Sequence, residues 1–159
     1  MNLLFRMLYV LLSALFRPRI GADEFASRLR LRTLPNDLDI NLHMNNGRYL
    51  TICDLNRVDL FIRSGLAKQM LKRKWMPMIA DHTMTYKKPL KLFEPFEVEL
   101  AVTHWDAKYF YMTHTFTAGG RVAAVGTSKG VIRSREGVVD PGRVMEAVGL
   151  AGRMPGTAA

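Results

Sequence analysis

Cysteine is nearly absent from this chain of 159 residues, where Cys53 stands alone. One cysteine closes no intramolecular disulfide and builds no thiolate cluster, which excludes a disulfide-stapled scaffold and favours a reducing compartment. No His-x-x-x-His pair accompanies it, so neither a metal site nor a cofactor is expected. Acidic residues are also scarce, with 14 Asp and Glu against 23 Lys and Arg and a formal net charge of +9. Such a surplus draws a protein toward anions, whether nucleic acid, lipid headgroups or phosphorylated small molecules. No recognised nucleic-acid motif is present, so a basic nucleic-acid-binding protein is only a minor alternative and no nucleic-acid partner is expected. Internal repeats and low-complexity segments are lacking too, and a composition that is 48% hydrophobic and 23% charged excludes disorder.

A hydrophobic run long enough to cross a bilayer is the last absence. Residues 3–16 are almost continuously apolar, broken by Arg6 and Ser13. Fourteen helical residues span about 21 Å against a hydrocarbon core of about 30 Å. No basic residue precedes the run and no small-x-small pattern follows, as a secretory signal would require. Arg17 and Arg19 come next, which suits a helix held at an anionic cytoplasmic surface. Packing on the body of the protein or on a partner subunit is the competing expectation. The chain then divides into an apolar helix over residues 1–20, one domain over 21–150 and a tail over 151–159. A cytoplasmic protein, peripheral at the inner face of the membrane, is the expected setting.

From Phe25 the period changes to two. Leu29, Leu31 and Thr33 alternate with Arg28, Arg30 and Arg32 and predict a half-buried strand, which Pro35-Asn36-Asp37 ends. A helix with apolar residues on several faces follows Gly47 and runs to about Ser64, with Gly65 as terminator. Alternation returns over 78–88, 96–104, 110–116 and 121–135, with Gly119-Gly120 as a tight turn. Gly126 and Gly130 suggest a bulge or a close backbone approach. Pro141 fits the first turn of a short closing helix over 140–150. Sequential strands joined by short turns make an antiparallel sheet, and a long apolar helix must lie on it. The expected class is α+β, with one twisted sheet wrapped around one central helix.

Chemistry concentrates in Asn36 to Tyr49, where nine of fourteen residues are Asp, Asn, His, Arg or Tyr. That density is costly to bury unless the groups satisfy each other or a ligand. The segment meets a helix N-terminus, where free N–H groups favour a phosphate or a developing oxyanion. Asp39, Asn41 and His43 lie two apart, so an extended segment would put all three side chains on one side. Turn and capping roles for Asp37, Asn45 and Asn46 are the plainer expectation.

Asp39-Ile40-Asn41-Leu42-His43-Met44-Asn45-Asn46 resembles the Asp-x-Asn-x-His-x-Asn-Asn motif of plant acyl-acyl-carrier-protein thioesterases. It is similar also to hot-dog proteins of the thioesterase-superfamily-member-6 type. Asp37-x-Asp39 followed by Tyr49 resembles, more loosely, the 4-hydroxybenzoyl-CoA thioesterases. The resemblance implies a hot-dog fold over about residues 25–135 and hydrolysis of acyl thioesters, acyl-CoA or acyl-carrier protein. It makes Asp39 the catalytic carboxylate, with Asn41 and His43 positioning or activating water and the N–H of Asn46 polarising the thioester carbonyl. Asn45, Gly47, Tyr49 and Lys129 are then substrate-binding. A nucleophilic Asp39 and an Asp39–His43 general base both remain open, with water activation slightly favoured because His43 lies two positions from Asn41. The plant enzymes carry an acidic residue and a Cys after a Tyr-Arg-Arg-like stretch, whereas Tyr86-Lys87-Lys88 here is followed by Pro89 and Leu90. They also hold two hot-dog units per chain, so this single unit is expected to form a homodimer or tetramer with the site at the subunit interface. A catalytically weak acyl-binding or scaffold protein at the membrane is the alternative.

Elsewhere, Asp54 and Asp59 on the helix are expected to pair with Arg57 or Arg63. The Lys68 to Lys74 cluster and Lys129 are candidates for CoA phosphates. His82, His104 and His114 are isolated, and His104 and His114 fall on apolar strand faces as core histidines.

Overall fold

The computed structural model describes residues 2–21 and 23–151. Helix α1 (Asn2–Phe16) leads to strand β1 (Ala26–Arg32), a short 3-10 turn (Pro35–Asp37) and the long helix α2 (Asn46–Ser64). Helix α3 (Leu66–Arg73), strands β2 (Met76–Tyr86), β3 (Pro95–Trp105), β4 (Phe110–Ala118), β5 (Arg121–Ser134) and β6 (Gly137–Val139), and helix α4 (Pro141–Ala147) complete the chain. All pairings between the strands are antiparallel, in the order β1-β3-β4-β5-β2, and β6 folds back onto β5. This is the expected α+β hot-dog arrangement, a curled sheet around one helix.

Helix α2 is bounded by its own sequence. Asn45 caps its start by accepting the N–H of Gly47 (2.8 Å), and Gly65 ends it at φ 84°, a conformation that suits a residue without Cβ. Tyr49, Ile52, Cys53, Leu55, Asn56 and Leu60 are buried, more than one face of a helix provides, because the sheet wraps it. Alternate residues of β3 (Phe96, Val98, Leu100, Val102) and β4 (Phe110, Met112, His114, Phe116) form the facing layer. Gly126 follows the close-approach expectation, since a Cβ there would meet the Thr83 carbonyl oxygen at 2.4 Å.

Two features depart from the sequence expectation. The last long strand breaks at Arg135-Glu136, and Gly137–Val139 returns as β6. His104 is exposed and stacked on Tyr111 (ring centroids 4.3 Å apart), because the register slips between Val102 and His104. One extra residue in a strand turns every following side chain to the other face. Helix α1 packs through Arg6, Val10 and Ala14 while Leu4, Phe5, Tyr9, Leu15 and Phe16 stay exposed. No helix among the described residues is long and apolar enough to cross a membrane.

Strand β2 is an edge of the sheet. Its outer rim is unpaired among the described residues over eleven positions, and Met76, Met78, Ile79 and Tyr86 are exposed. A long apolar edge of this kind is a template for pairing with another strand.

Candidate active site

The loop between β1 and α2 is built on Asp37, which has no exposed surface. Arg6 of α1 donates to both of its carboxylate oxygens (Nη1 to Oδ1 2.9 Å, Nη2 to Oδ2 2.7 Å) and also reaches the carbonyl of Arg32 (2.6 Å). Leu34 N–H donates to the same carboxylate, and the Asp37 carbonyl accepts from Asn45 N–H at 2.8 Å. A buried bidentate pair of this geometry fixes orientation more than it adds net stability. Asp37 therefore ties α1, the loop and the start of α2 to one point.

Beyond Asp37 the chain does not run extended, which corrects the expectation for Asp39, Asn41 and His43. It makes a tight turn instead: Asp39 N–H donates to the His43 carbonyl (2.9 Å) and Leu42 N–H to the Asp39 carbonyl (3.1 Å). Leu42 sits at φ 59°, and Asp39 Oδ1 accepts the N–H of Asn41 (2.8 Å). Asx-type bonding of this kind competes with extended backbone. Asp39 and His43 meet at the base of the turn, while Asn41 is exposed near its tip beside Ile40 and Leu42.

Asp39, His43, Asn46 and Tyr49 line one shallow cleft with Met44, Tyr86, Lys87, Lys88 and Pro89. Asn46 is the first residue of α2, where backbone N–H groups have no acceptor within the helix. Tyr86 Oη donates to the Asn46 carbonyl at 3.2 Å. Tyr49 is buried, edge-on to Tyr86 and Phe116 (centroids 5.0 and 4.9 Å apart), and burial pushes its hydroxyl up to about 12. It forms the floor of the cleft and stays protonated at neutral pH. Asn45 caps the helix, and a Cβ on Gly47 would stand 3.2 Å from the Asn45 amide oxygen, so both serve the helix start. Lys129 is not brought to this cleft. It lies in mid-β5, paired with Asp81 and Tyr111 and with its ammonium 5.8 Å from the Tyr111 ring.

Tyr86, Lys87 and Lys88 are the residues that sequence reasoning set aside, and they supply the cationic wall. Both lysine N–H groups donate to the Ala123 carbonyl, at 2.8 and 3.0 Å, which turns the chain as it leaves β2. Two adjacent lysines before a proline at a strand end were the available signal. Asp54 and Asp59 follow the plainer expectation. Asp54 pairs with Arg57, and Asp59 takes Arg63 at 2.9 Å and Arg17 at 3.1 Å.

Residues 33–145 match the family described as the thioesterase-like superfamily. Protein THEM6 of Xenopus laevis is 41% identical over 85 residues, covering 54% of this chain and 41% of the relative. The matches to the THEM6 relatives span about half the length of those proteins or less. Among solved structures, the probable thioesterase YbaW from Escherichia coli superposes with a TM-score of 0.71 at 18% identity, covering 76% of this chain and 94% of that one. The DHNA-CoA thioesterase from Staphylococcus aureus gives 0.68 at 17% identity, covering 77% and 85%. At these identities the structures speak for the fold, and the family match spans the loop, the central helix and strands β2 to β6. The chain belongs to the thioesterase-like superfamily.

Proposed function

We propose that this protein hydrolyses acyl thioesters, with acyl-CoA as the substrate class and Asp39 as the catalytic carboxylate. The observation that carries this reading is the meeting of Asp39, His43 and the first residue of α2 in one open cleft with a cationic wall. Asp39 Oδ1 is held by the Asn41 N–H, which leaves Oδ2 to take a proton from water as that water attacks the thioester carbon. His43 stands in reach of the same water. The N–H of Asn46, at the start of α2, faces the oxyanion as the tetrahedral intermediate forms. Collapse of the intermediate breaks the carbon–sulfur bond, releasing the acid and a thiolate that takes up a proton. Lys87 and Lys88 suit the phosphates of the carrier.

The single unit acts as a homodimer in this reading. Edge strand β2 ends in Tyr86, which lines the cleft, so a second copy paired along β2 lies beside the site. The exposed apolar side of α1, followed by Arg17 and Arg19, suits contact with an anionic membrane surface on the cytoplasmic side.

The test is thiol release from an acyl-CoA panel of two to sixteen carbons plus benzoyl-CoA, with Asp39→Ala alongside. Turnover of any member that collapses in the variant supports the assignment. Binding of intact acyl-CoA without turnover would instead make this an acyl-binding protein.

A further inference from the structure

Halfway along α2 the interior holds polar side chains that the loop chemistry does not use. Arg57 is buried, with Nη2 3.3 Å from His82 Nδ1, 3.5 Å from His114 Nε2 and 3.4 Å from Ser128 Oγ. His114 has no exposed surface and stands in the β4 row otherwise filled by Phe110, Met112 and Phe116. A guanidinium only donates, so the ring nitrogens facing it present lone pairs. Both imidazoles are neutral: burial first and Arg57 second press them down, His114 to about 3. Each ring then carries its one proton on the far nitrogen, His82 Nε2 and His114 Nδ1, and Ser128 donates to His114 Nε2 at 2.8 Å.

Those two far nitrogens and Arg57 Nε are buried without a hydrogen-bond partner among the described residues. Three N–H donors in a low-dielectric interior thus lack an acceptor, a rare and costly condition. A cation is the first alternative, because Cys53 Sγ and one nitrogen from each imidazole lie within 4.8 Å of one another. A metal needs imidazole lone pairs, however, and here Arg57 faces them while protons hold the opposite nitrogens. The guanidinium adds its own positive charge, and burial pushes the Cys53 thiol up to about 12. The set calls for an anionic oxygen.

Arg57 also belongs to a second feature. Among the described residues its side chain is the only charged one on the wall of a cavity between α2 and the sheet, lined otherwise by apolar residues such as Leu60, Phe61, Phe110 and Met112. The cavity shares no lining residue with the Asp39 cleft of the same subunit but reaches the β2 edge at Met78 and Ile79, where a second copy paired along β2 would bring its own cleft. An acyl group entering there lies as hydrocarbon in the slot and carries an oxygen anion to Arg57.

We propose that Arg57, His82 and His114 form a binding site for a carboxylate on the acyl group, so that the preferred substrates are thioesters of dicarboxylic acids. This rests on the thioesterase reading above, which supplies the acyl group. In the free protein Asp54, exposed at its tip, pairs with Arg57, and the substrate carboxylate takes the donors Asp54 leaves unused.

The experiment compares kcat/KM for CoA thioesters of mono- and dicarboxylic acids of equal carbon number, from six to sixteen. The dicarboxylic member is expected to lead at least tenfold at one length. That lead falls to near unity in Arg57→Leu and shrinks in His82→Leu, which serves if the first variant does not fold. Equal values across every pair, or a lead that survives both substitutions, overturns the site. If no thioester turns over, the thioesterase reading fails, and calorimetry with the free acids decides the site alone. Diacid binding that is absent for the monoacid and lost in Arg57→Leu upholds it; no difference between the acids overturns it. A Cys53-dependent cobalt–thiolate absorption on adding Co2+ to the protein would overturn it in favour of a metal.

Discussion

The start and the middle of helix α2 handle polar groups in opposite ways. At the start, Asp39, Asn41, His43 and Asn45 are close in sequence, partly or fully exposed, and largely bonded to nearby backbone. In the middle, Arg57, His82, His114 and Ser128 come from α2, β2, β4 and β5, mostly buried and short of acceptors. The first arrangement is a loop that water can enter, which suits hydrolysis. The second is a dry, prepaid set of donors, which suits recognition of one oxygen. Polar density in a sequence marks the first kind of site and is blind to the second.

Breaking the anchor of the loop should have the largest effect. Asp37→Ala leaves the Arg6 guanidinium buried beside no carboxylate, a change that costs about 3–5 kcal/mol, read as a lower denaturation midpoint in urea. Because α1 meets the loop through this pair, the cleft should lose activity along with stability. A variant as stable as the parent would mean that α1 does not hold the loop.

The buried cluster should show itself through pH. The His114 pKa lies at about 3 against an ordinary 6.5, so the unfolded chain binds the extra proton across that window. Stability from this group is whole above pH 6.5 and is lost as pH falls toward 3, with a slope approaching about 1.4 kcal/mol per pH unit. His114→Gln, which stays neutral throughout, should flatten the thermal-unfolding profile between those limits. An unchanged profile would show that His114 is solvated in the folded state.

The smallest effect belongs to the cap. Asn45→Ala removes the bond to Gly47 N–H and should cost about 1 kcal/mol, measured by the same denaturation. A loss several times larger would mean that Asn45 holds the turn at Asp39 as well as the helix.

The same contrast explains what the sequence disclosed. Periodicity and glycine placement located α2, its terminator Gly65 and the sheet strands, because each is a local rule. The eight-residue motif beginning at Asp39 pointed to the cleft. The turn at Leu42 was missed because Asp39 bonding to Asn41 N–H is a local competitor to extended backbone that spacing does not reveal. His104 was misplaced by a single slipped residue in β3. Arg6 and Asp37 are 31 residues apart, and Arg57 and Ser128 are 71 apart, so their meetings follow only from the folded topology.

Steady-state thiol release by Asp39→Asn, set beside the parent on the same acyl-CoA series, tests the catalytic assignment most directly. The amide keeps an oxygen for the Asn41 N–H and so preserves the turn, while it removes the carboxylate. The expected result is a fall of about 10²- to 10⁴-fold in kcat with an unchanged circular dichroism spectrum and melting temperature. Hydrolysis at the parental rate by a correctly folded Asp39→Asn would contradict it and place the chemistry elsewhere in the molecule.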